Sequence, residues 1–161
     1  MVIKMKEIHM EDFVHGDEIG TVNMADIHEK EDTFYSAAAS GKIYVDDEVY
    51  YTLENRPAKL AEVLGAAQAA GILAAKGTSG LIPMCHASVL TECKLTFKMS
   101  EDDYSVEAAC SASCVGKKNV EMEALTGVSV ALLTIFEMCK TMNRAMHIGA
   151  IRLVEQNGGQ D

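Results

Sequence analysis

Residues 120–143 read VEMEALTGVSVALLTIFEMCKTMN, and this stretch predicts the central helix of the protein. It contains no proline and is long enough for about six helical turns. Apolar residues recur along it at steps of three and four, the period of one helical face; they are Leu125, Val128, Leu132, Ile135, Cys139 and Met142. Because other apolar residues fill much of the opposite face, we expect one side to pack on a sheet and the other on a neighbouring subunit.

Four ionisable residues lie in or next to this apolar stretch, and they are Glu121, Glu123, Glu137 and Lys140. A buried carboxylate needs a partner, and Lys140 is the cation nearest to Glu137 on the same helical face. The two form either a structural ion pair or a carboxylate and an amine set for proton transfer. Glu123 and Glu137 are about 21 Å apart along the helix axis. If both are functional, we therefore expect a site between two subunits.

The composition is that of one ordinary globular domain, with 161 residues, 48% hydrophobic and 24% charged. A net charge of −10 and the absence of Trp argue against a nucleic-acid-binding surface, which is normally basic. Five cysteines and no evident signal peptide indicate reduced thiols and a cytoplasmic location. The longest apolar run is too short for a membrane span, and no zinc site is predicted.

Local patterns predict the other elements. Residues 1–40 are polar and acidic, and we interpret them as an N-terminal arm with an edge segment. Strands are predicted at residues 41–53, 89–99, 104–115 and 147–156, and helices at residues 58–76 and 120–143. Residues 41–53 could also form a hairpin that turns at Asp46-Asp47. The order of elements predicts an α+β, ferredoxin-like split βαβ domain over residues 41–161, with two helices on one face of an antiparallel sheet.

Three local features of this arrangement bear on packing and function. Small residues between Gly65 and Gly71 predict that a neighbouring backbone approaches the first long helix closely. The loop at residues 77–88 contains Cys85 and His86, where the histidine is either a satisfied core group or a functional one. Lys117 and Lys118 precede the central helix, and they form either a solvated loop or an anion site at the helix N-terminus.

With these motifs the chain resembles the MoaC family, the cyclic pyranopterin monophosphate synthases of molybdenum cofactor biosynthesis. The resemblance rests on AGILAAKGTSGLIPMCH at residues 70–86 and VEMEALTGVSVALLTIFEMCK at residues 120–140, with a weaker IRLVEQNGG near the end. A fainter echo, MADI at residues 24–27, extends it toward the N-terminus.

The resemblance implies a lyase that converts 3′,8-cyclo-7,8-dihydro-GTP into cyclic pyranopterin monophosphate and releases pyrophosphate. It implies a ferredoxin-like subunit, a dimer whose interface forms the active site, and a homo-hexamer that is a trimer of such dimers. The expected partner is a small purine or pterin substrate, with no nucleic acid or membrane. No resident cofactor and no metal-binding residues are implied, although the sequence leaves a role for Mg²⁺ open.

Residue by residue, the resemblance implies catalytic roles for Lys76, Glu137 and Lys140, with Glu137 at the position of the family's catalytic aspartate. Six residues are implied to bind substrate, namely Met84, Cys85, His86, Glu121, Met122 and Glu123. Arg152 joins this set as a further cation for the phosphates. Carboxylates and lysines can exchange protons during ring opening and closure, while lysine and histidine can neutralise phosphate charge.

Five positions that are cationic in the family are neutral here, namely Tyr35, Leu60, Gln68, Gln156 and Gln160. Each lost charge-assisted contact weakens phosphate binding by about 1.5–3 kcal/mol unless another cation replaces it. The candidate replacements are Lys59, Lys117, Lys118 and Arg152. We therefore expect the family's own reaction with an altered phosphate grip. The alternative is a divergent paralogue that acts on a less phosphorylated substrate, or a catalytically silent ligand-binding subunit.

Overall fold

The computed structural model describes residues 22–158 of the chain. In order, its elements are β1 (Thr33–Tyr44), α1 (Asp47–Glu54), α2 (Pro57–Lys76), α3 (Thr78–Leu81), β2 (Leu90–Ser100), β3 (Ser105–Gly116), α4 (Glu121–Cys139) and β4 (His147–Asn157). The strands form one sheet in the order β2-β3-β1-β4, and every neighbouring pair is antiparallel. The long helices α2 and α4 pack on each other and on the same face of this sheet. The predicted ferredoxin-like α+β fold is confirmed.

The helix α4 is the central helix that the apolar pattern predicts. Val128, Leu132 and Ile135 lie on its inward face and are fully buried against the sheet and α2. On its outward face Leu133 is 57% exposed. One chain therefore leaves part of the outward apolar face uncovered, although Phe136 and Met138 pack partly against the core.

The helices α2 and α4 touch at two glycines. A Cβ atom added to Gly71 would lie 2.7 Å from the carbonyl oxygen of Gly127, and one added to Gly127 would lie 2.8 Å from Sγ of Cys110. No side chain fits between the helices at this point, as the small residues of α2 predict. The contact holds the C-terminal end of α2, and the loop that follows it, beside the first turns of α4.

The strand β1 begins earlier than predicted and lies at the centre of the sheet. It starts at Thr33, inside the stretch interpreted as a polar arm, and continues across residues 40 and 41 to Tyr44. Its neighbours are β3 on one side and β4 on the other. The N-terminal arm before it includes residues 1–21, which lie outside the described part of the chain.

The prediction of a strand or hairpin over residues 41–53 is wrong in its second half, where the chain forms α1. Asp46 does not turn a hairpin, because its carboxylate accepts a hydrogen bond of 2.8 Å from the N–H of Val49 and caps this helix. The same carboxylate is bonded by the side chain of Asn143, in the turn after α4. Of the residues that suggested a strand, Val49, Tyr50 and Leu53 form the buried side of α1 instead.

Two connections complete the framework around the sheet. Thr78 donates its hydroxyl to the carbonyl oxygens of Ala74 and Ala75, so the chain makes the helical turn α3 where the sequence predicted only a loop. At the β2–β3 turn, the Lys42 ammonium lies 2.6 Å from the Asp103 carboxylate. This contact, with a hydrogen bond from a serine hydroxyl, lowers the pKa of Asp103 to about 2.

By length and composition alone, α2 and α4 are apolar enough to cross a membrane. This is weak evidence for a membrane span, because the core helices of soluble proteins pass the same test. Half of the most apolar window of α4 is buried inside the chain, where it packs on the sheet.

Candidate active site

A cavity of about 330 Å³ opens beside the N-terminus of α4. Its walls come from the loop after α3, from the β3–α4 connection with the first turn of α4, and from the segment before β1. It brings together five residues that the sequence predicts to bind substrate, namely Met84, Cys85, His86, Glu121 and Met122. Two separate sequence blocks therefore meet in one site, because the α2–α4 contact holds their ends together.

Glu123 lies behind the wall of this cavity and is the buried carboxylate of α4. Its side chain is only 2% exposed, and its Oε1 atom lies 2.6 Å from the Nζ atom of Lys118, which lines the cavity. Its second oxygen, Oε2, is buried and has no hydrogen-bond partner among the residues of the structure. The charge that α4 buries is thus that of Glu123, paired with a lysine of the preceding connection.

The ion pair between Lys118 and Glu123 acts on two neighbouring thiols. Burial raises the pKa of the Cys85 thiol, the positive charge of Lys118 lowers it, and the negative charge of Glu123 raises it again. Burial, followed by the charge of Glu123, also raises the pKa of Cys114. Both thiols are therefore protonated at neutral pH, so Cys85 is suited to contacting a ligand and not to nucleophilic attack.

The cavity is suited to an anion although the chain is acidic overall. Lys30, Lys117 and His86 line it together with Lys118. The helix α4 begins at Glu121, and the preceding residue Val120 provides no side-chain cap, so the first N–H groups of the helix are open to a ligand. The positive end of the helix dipole and these side chains favour negative charge at the same place. The arrangement can hold a phosphate group.

The segment before β1 forms one side of the cavity, and this contribution was not predicted. Lys117 donates a hydrogen bond of 2.9 Å to the carbonyl oxygen of His28 and ties the segment in place. Ala25, Ile27 and Lys30 line the cavity from this segment. The only signal for it in the sequence is the short MADI echo of the family.

Glu137 and Lys140 lie at the opposite end of α4, well away from the cavity. The predicted pair is present, with 2.7 Å between Oε2 of Glu137 and Nζ of Lys140. Within one chain, their side chains are 69% and 42% exposed, so no element of the same chain buries Glu137. Lys59 is close to this end of the helix, because its charge acts on the Cys139 thiol, whose pKa is raised mainly by burial.

Two further predicted site residues lie outside the cavity. Lys76 is exposed at the end of α2 and lines a separate depression beside the start of β2. Arg152 is exposed on β4, opposite Ser40 of β1. Of the cations offered as replacements, Lys117 and Lys118 therefore line the cavity, whereas Arg152 and Lys59 do not.

The positions that are neutral here and cationic in the family have different surroundings. Tyr35 and Gln156 line the cavity. Gln68 donates a hydrogen bond of 2.9 Å to the carbonyl oxygen of Leu95 and joins α2 to β2. Leu60 packs against the core. Gln160 lies outside the described residues. Two of the five changes thus alter the cavity wall directly.

No group of three or more His, Cys, Asp or Glu side chains within residues 22–158 is arranged to hold a metal ion. The chemical groups that the cavity offers include three lysines, a histidine, the Glu121 carboxylate and the Cys85 thiol.

Comparison with known proteins identifies the family. The sequence model described as "MoaC family" matches residues 24–159. The chain is 41% identical over 148 residues to the cyclic pyranopterin monophosphate synthase of Clostridium acetobutylicum, with 92% of each chain covered. It is 43% identical over 151 residues to the protein of the same name from Magnetococcus marinus, with 94% of this chain and 93% of the relative covered. These matches span the cavity, both long helices and the whole sheet, and the chain therefore belongs to the MoaC family.

Proposed function

We propose that this chain converts 3′,8-cyclo-7,8-dihydro-GTP into cyclic pyranopterin monophosphate and releases pyrophosphate, as a lyase of molybdenum cofactor biosynthesis. The observation that carries this proposal is the cavity at the N-terminus of α4, which joins the Met84–His86 segment to Glu121 and Met122 beside a group of cations. Similarity to synthases over almost their full length supports the same conclusion.

The proposed position of the substrate's phosphates follows from the charges of the cavity. Lys30, Lys117 and His86 line the cavity, which also includes the first residues of α4. These groups stabilise phosphate oxygens by charge-assisted hydrogen bonds and by the helix dipole. They replace part of the phosphate-binding charge that is lost because Tyr35 and Gln156 occupy positions that are cationic in the family.

We further propose that a second subunit completes the site. Glu137 is 69% and Lys140 42% exposed, and they lie about 21 Å and about 26 Å from Glu123 along α4, so they cannot reach the cavity of their own chain. Leu73 on α2 and Leu133 on α4 are exposed and apolar, which favours burial against another copy. In the proposed dimer, the pair from one subunit exchanges protons with a substrate held by its partner, and three dimers form a hexamer.

Lys76 is the third residue to which we give a catalytic role. It is exposed at the end of α2 that lies beside the first turns of α4. We propose no resident cofactor, and a Mg²⁺ ion would be held chiefly by the substrate's phosphates. All five cysteines are free thiols, which supports a cytoplasmic location.

The first test is single-turnover conversion of the cyclised substrate by the purified protein and by a Glu137→Gln variant. We expect product and pyrophosphate from the wild type, and a rate at least about 100-fold lower from the variant, because loss of a positioned acid–base group has that effect. A folded wild-type protein that forms no product would refute the proposal. It would favour the alternative of a less phosphorylated substrate or a catalytically silent ligand-binding subunit.

A mixing experiment tests the shared site. His86→Ala and Glu137→Gln each inactivate one half of the site, so a dimer with one copy of each variant contains one intact site. Random exchange of subunits should restore about a quarter of the wild-type activity, because half of the dimers are mixed. Each variant mixed with itself is the control. Complete exchange, verified by native mass spectrometry, with no recovery of activity would exclude a site built from two subunits.

A further inference from the structure

The ion pair between Lys118 and Glu123 is buried where a charge pair adds little stability. The two side chains are 18% and 2% exposed, and the atoms Nζ and Oε1 are 2.6 Å apart. Removing two charges from water offsets much of their attraction, so a buried pair is weak evidence for stability. Because Lys118 also lines the cavity, its ion pair with Glu123 calls for an explanation in terms of the ligand that the cavity binds.

The second oxygen of Glu123 indicates what the pair does. Within residues 22–158, Oε2 of Glu123 is the only buried side-chain nitrogen or oxygen atom without a hydrogen-bond partner. Buried acceptors are nearly always paired, and an unpaired one calls for a specific explanation such as a ligand. The carboxylate lies next to the cavity wall, since its Oε1 atom is 2.6 Å from Nζ of Lys118, which lines the cavity.

We propose that Lys118 is a positioning residue, which fixes Oε1 of Glu123 and thereby holds Oε2 as the acceptor for the exocyclic amine of the substrate's guanine-type base. This inference rests on the proposed function for the identity of the substrate. The guanine-type ring presents a ring N–H and an exocyclic amine on one edge. A carboxylate binds such donors by short charge-assisted hydrogen bonds, whereas phosphate oxygens would be repelled by it.

Lys117 provides a matched comparison for Lys118. Both lysines line the same cavity and lie in the same connection between β3 and α4. Lys117, however, donates to the backbone carbonyl of His28 and has no contact with Glu123. A change at Lys117 should therefore weaken the grip on phosphates and leave base recognition intact.

The test compares the affinities of GTP and inosine triphosphate, which differ by the exocyclic amine, using calorimetry. We expect wild-type protein to prefer GTP by about tenfold or more, the effect of one charge-assisted hydrogen bond. In Glu123→Gln, Lys118 should hold the amide oxygen and turn the NH2 group toward the base, so the preference should disappear. Adding Lys118→Met frees the amide to rotate, and the preference should partly return. Adding Lys117→Met instead should restore nothing.

The inference is overturned if wild-type protein binds neither nucleotide or does not distinguish them, or if Glu123→Gln keeps the full preference for GTP. It is also overturned if the double variant with Lys118→Met recovers no preference for GTP, or if the double variant with Lys117→Met recovers as much. If Glu123→Gln does not fold, Lys118→Met alone decides, because an unchanged preference in it contradicts the proposed positioning. Turnover of the cyclised substrate is measured on the same preparations. No turnover with the binding pattern intact refutes the reaction, whereas turnover with no effect of Lys118 refutes only this inference.

Discussion

The contact between α2 and α4 allows a sharp test with two glycines of the same helix. A Cβ atom on Gly71 would lie 2.5 Å from Cδ1 of Leu95 and 2.7 Å from the carbonyl oxygen of Gly127. A Cβ atom on Gly65 would meet nothing within 4 Å. Alanine at these two positions therefore adds the same atom, in one case against packed backbone and in the other into open space.

The free energies of unfolding of the two variants separate the effect of helix propensity from the effect of packing. Replacing a helical glycine by alanine stabilises the helix by about 0.8–1 kcal/mol, and this gain is common to Gly65→Ala and Gly71→Ala. At Gly71 the forced separation of the helices costs about 1–3 kcal/mol, as in other overpacked cores. Gly71→Ala should thus be less stable than Gly65→Ala by about 1–3 kcal/mol.

Urea unfolding of the wild type and both variants at one fixed protein concentration measures this difference, since assembly makes stability depend on concentration. Thermal unfolding should place the midpoint of Gly71→Ala lower by about 2–4 °C for each kcal/mol. Equal stability of Gly65→Ala and Gly71→Ala would show that the helices do not touch through backbone at Gly71. The explanation of how α2 positions the Met84–His86 segment would then fail.

Three further predictions concern a helix cap, a pH dependence and a thiol. Asp46→Ala removes the N-terminal cap of α1 and should lower the free energy of unfolding by about 0.5–2 kcal/mol in urea titrations, with Glu54→Ala at the other end of the helix as a near-neutral control. Because the pKa of Asp103 is lowered from 3.8 to about 2 in the folded protein, its contribution to stability is complete above pH 3.8 and is lost as the pH falls through about 2. The stability difference between wild type and Asp103→Asn should therefore shrink over this range, and a constant difference would contradict the ion pair. The Cys85 thiol, whose pKa is raised by burial and lowered by Lys118, should react with iodoacetamide more slowly than free cysteine at pH 8 and more slowly still in Lys118→Met. Faster reaction in that variant would show that the ammonium does not act on the thiol.

The parts of the fold with strong apolar periodicity were predictable from the sequence. The stretch at residues 120–143 gave the position of α4, and the order of strands and helices gave the ferredoxin-like arrangement. The segment at residues 47–54 was not predictable from propensity, because Val49, Tyr50 and Tyr51 favour strands. The Asp46 cap and burial against the core decide for a helix there.

The candidate site was predictable only in part, for a geometric reason. The resemblance named the right neighbours at Met84–His86 and at the start of α4, although their roles stay predictions. Helical spacing pointed to Lys140 as the partner of Glu137 but gave no partner for Glu123. That partner is Lys118, which precedes the helix, so its distance depends on the path of a connection that no periodicity describes.

The central position of β1 has a consequence for how the chain folds. This strand leaves the ribosome first, yet the first residues of its partners β3 and β4, Ser105 and His147, are made roughly sixty and one hundred residues after its end. Long loops must close before either edge of β1 is paired, and unpaired edges promote aggregation. The middle of TFYSAAASGKIY is rich in alanine and glycine, which have a low intrinsic preference for strands. The strand that its small residues conceal from pattern-based prediction is thus also the one that has to wait for both of its partner strands to be synthesised.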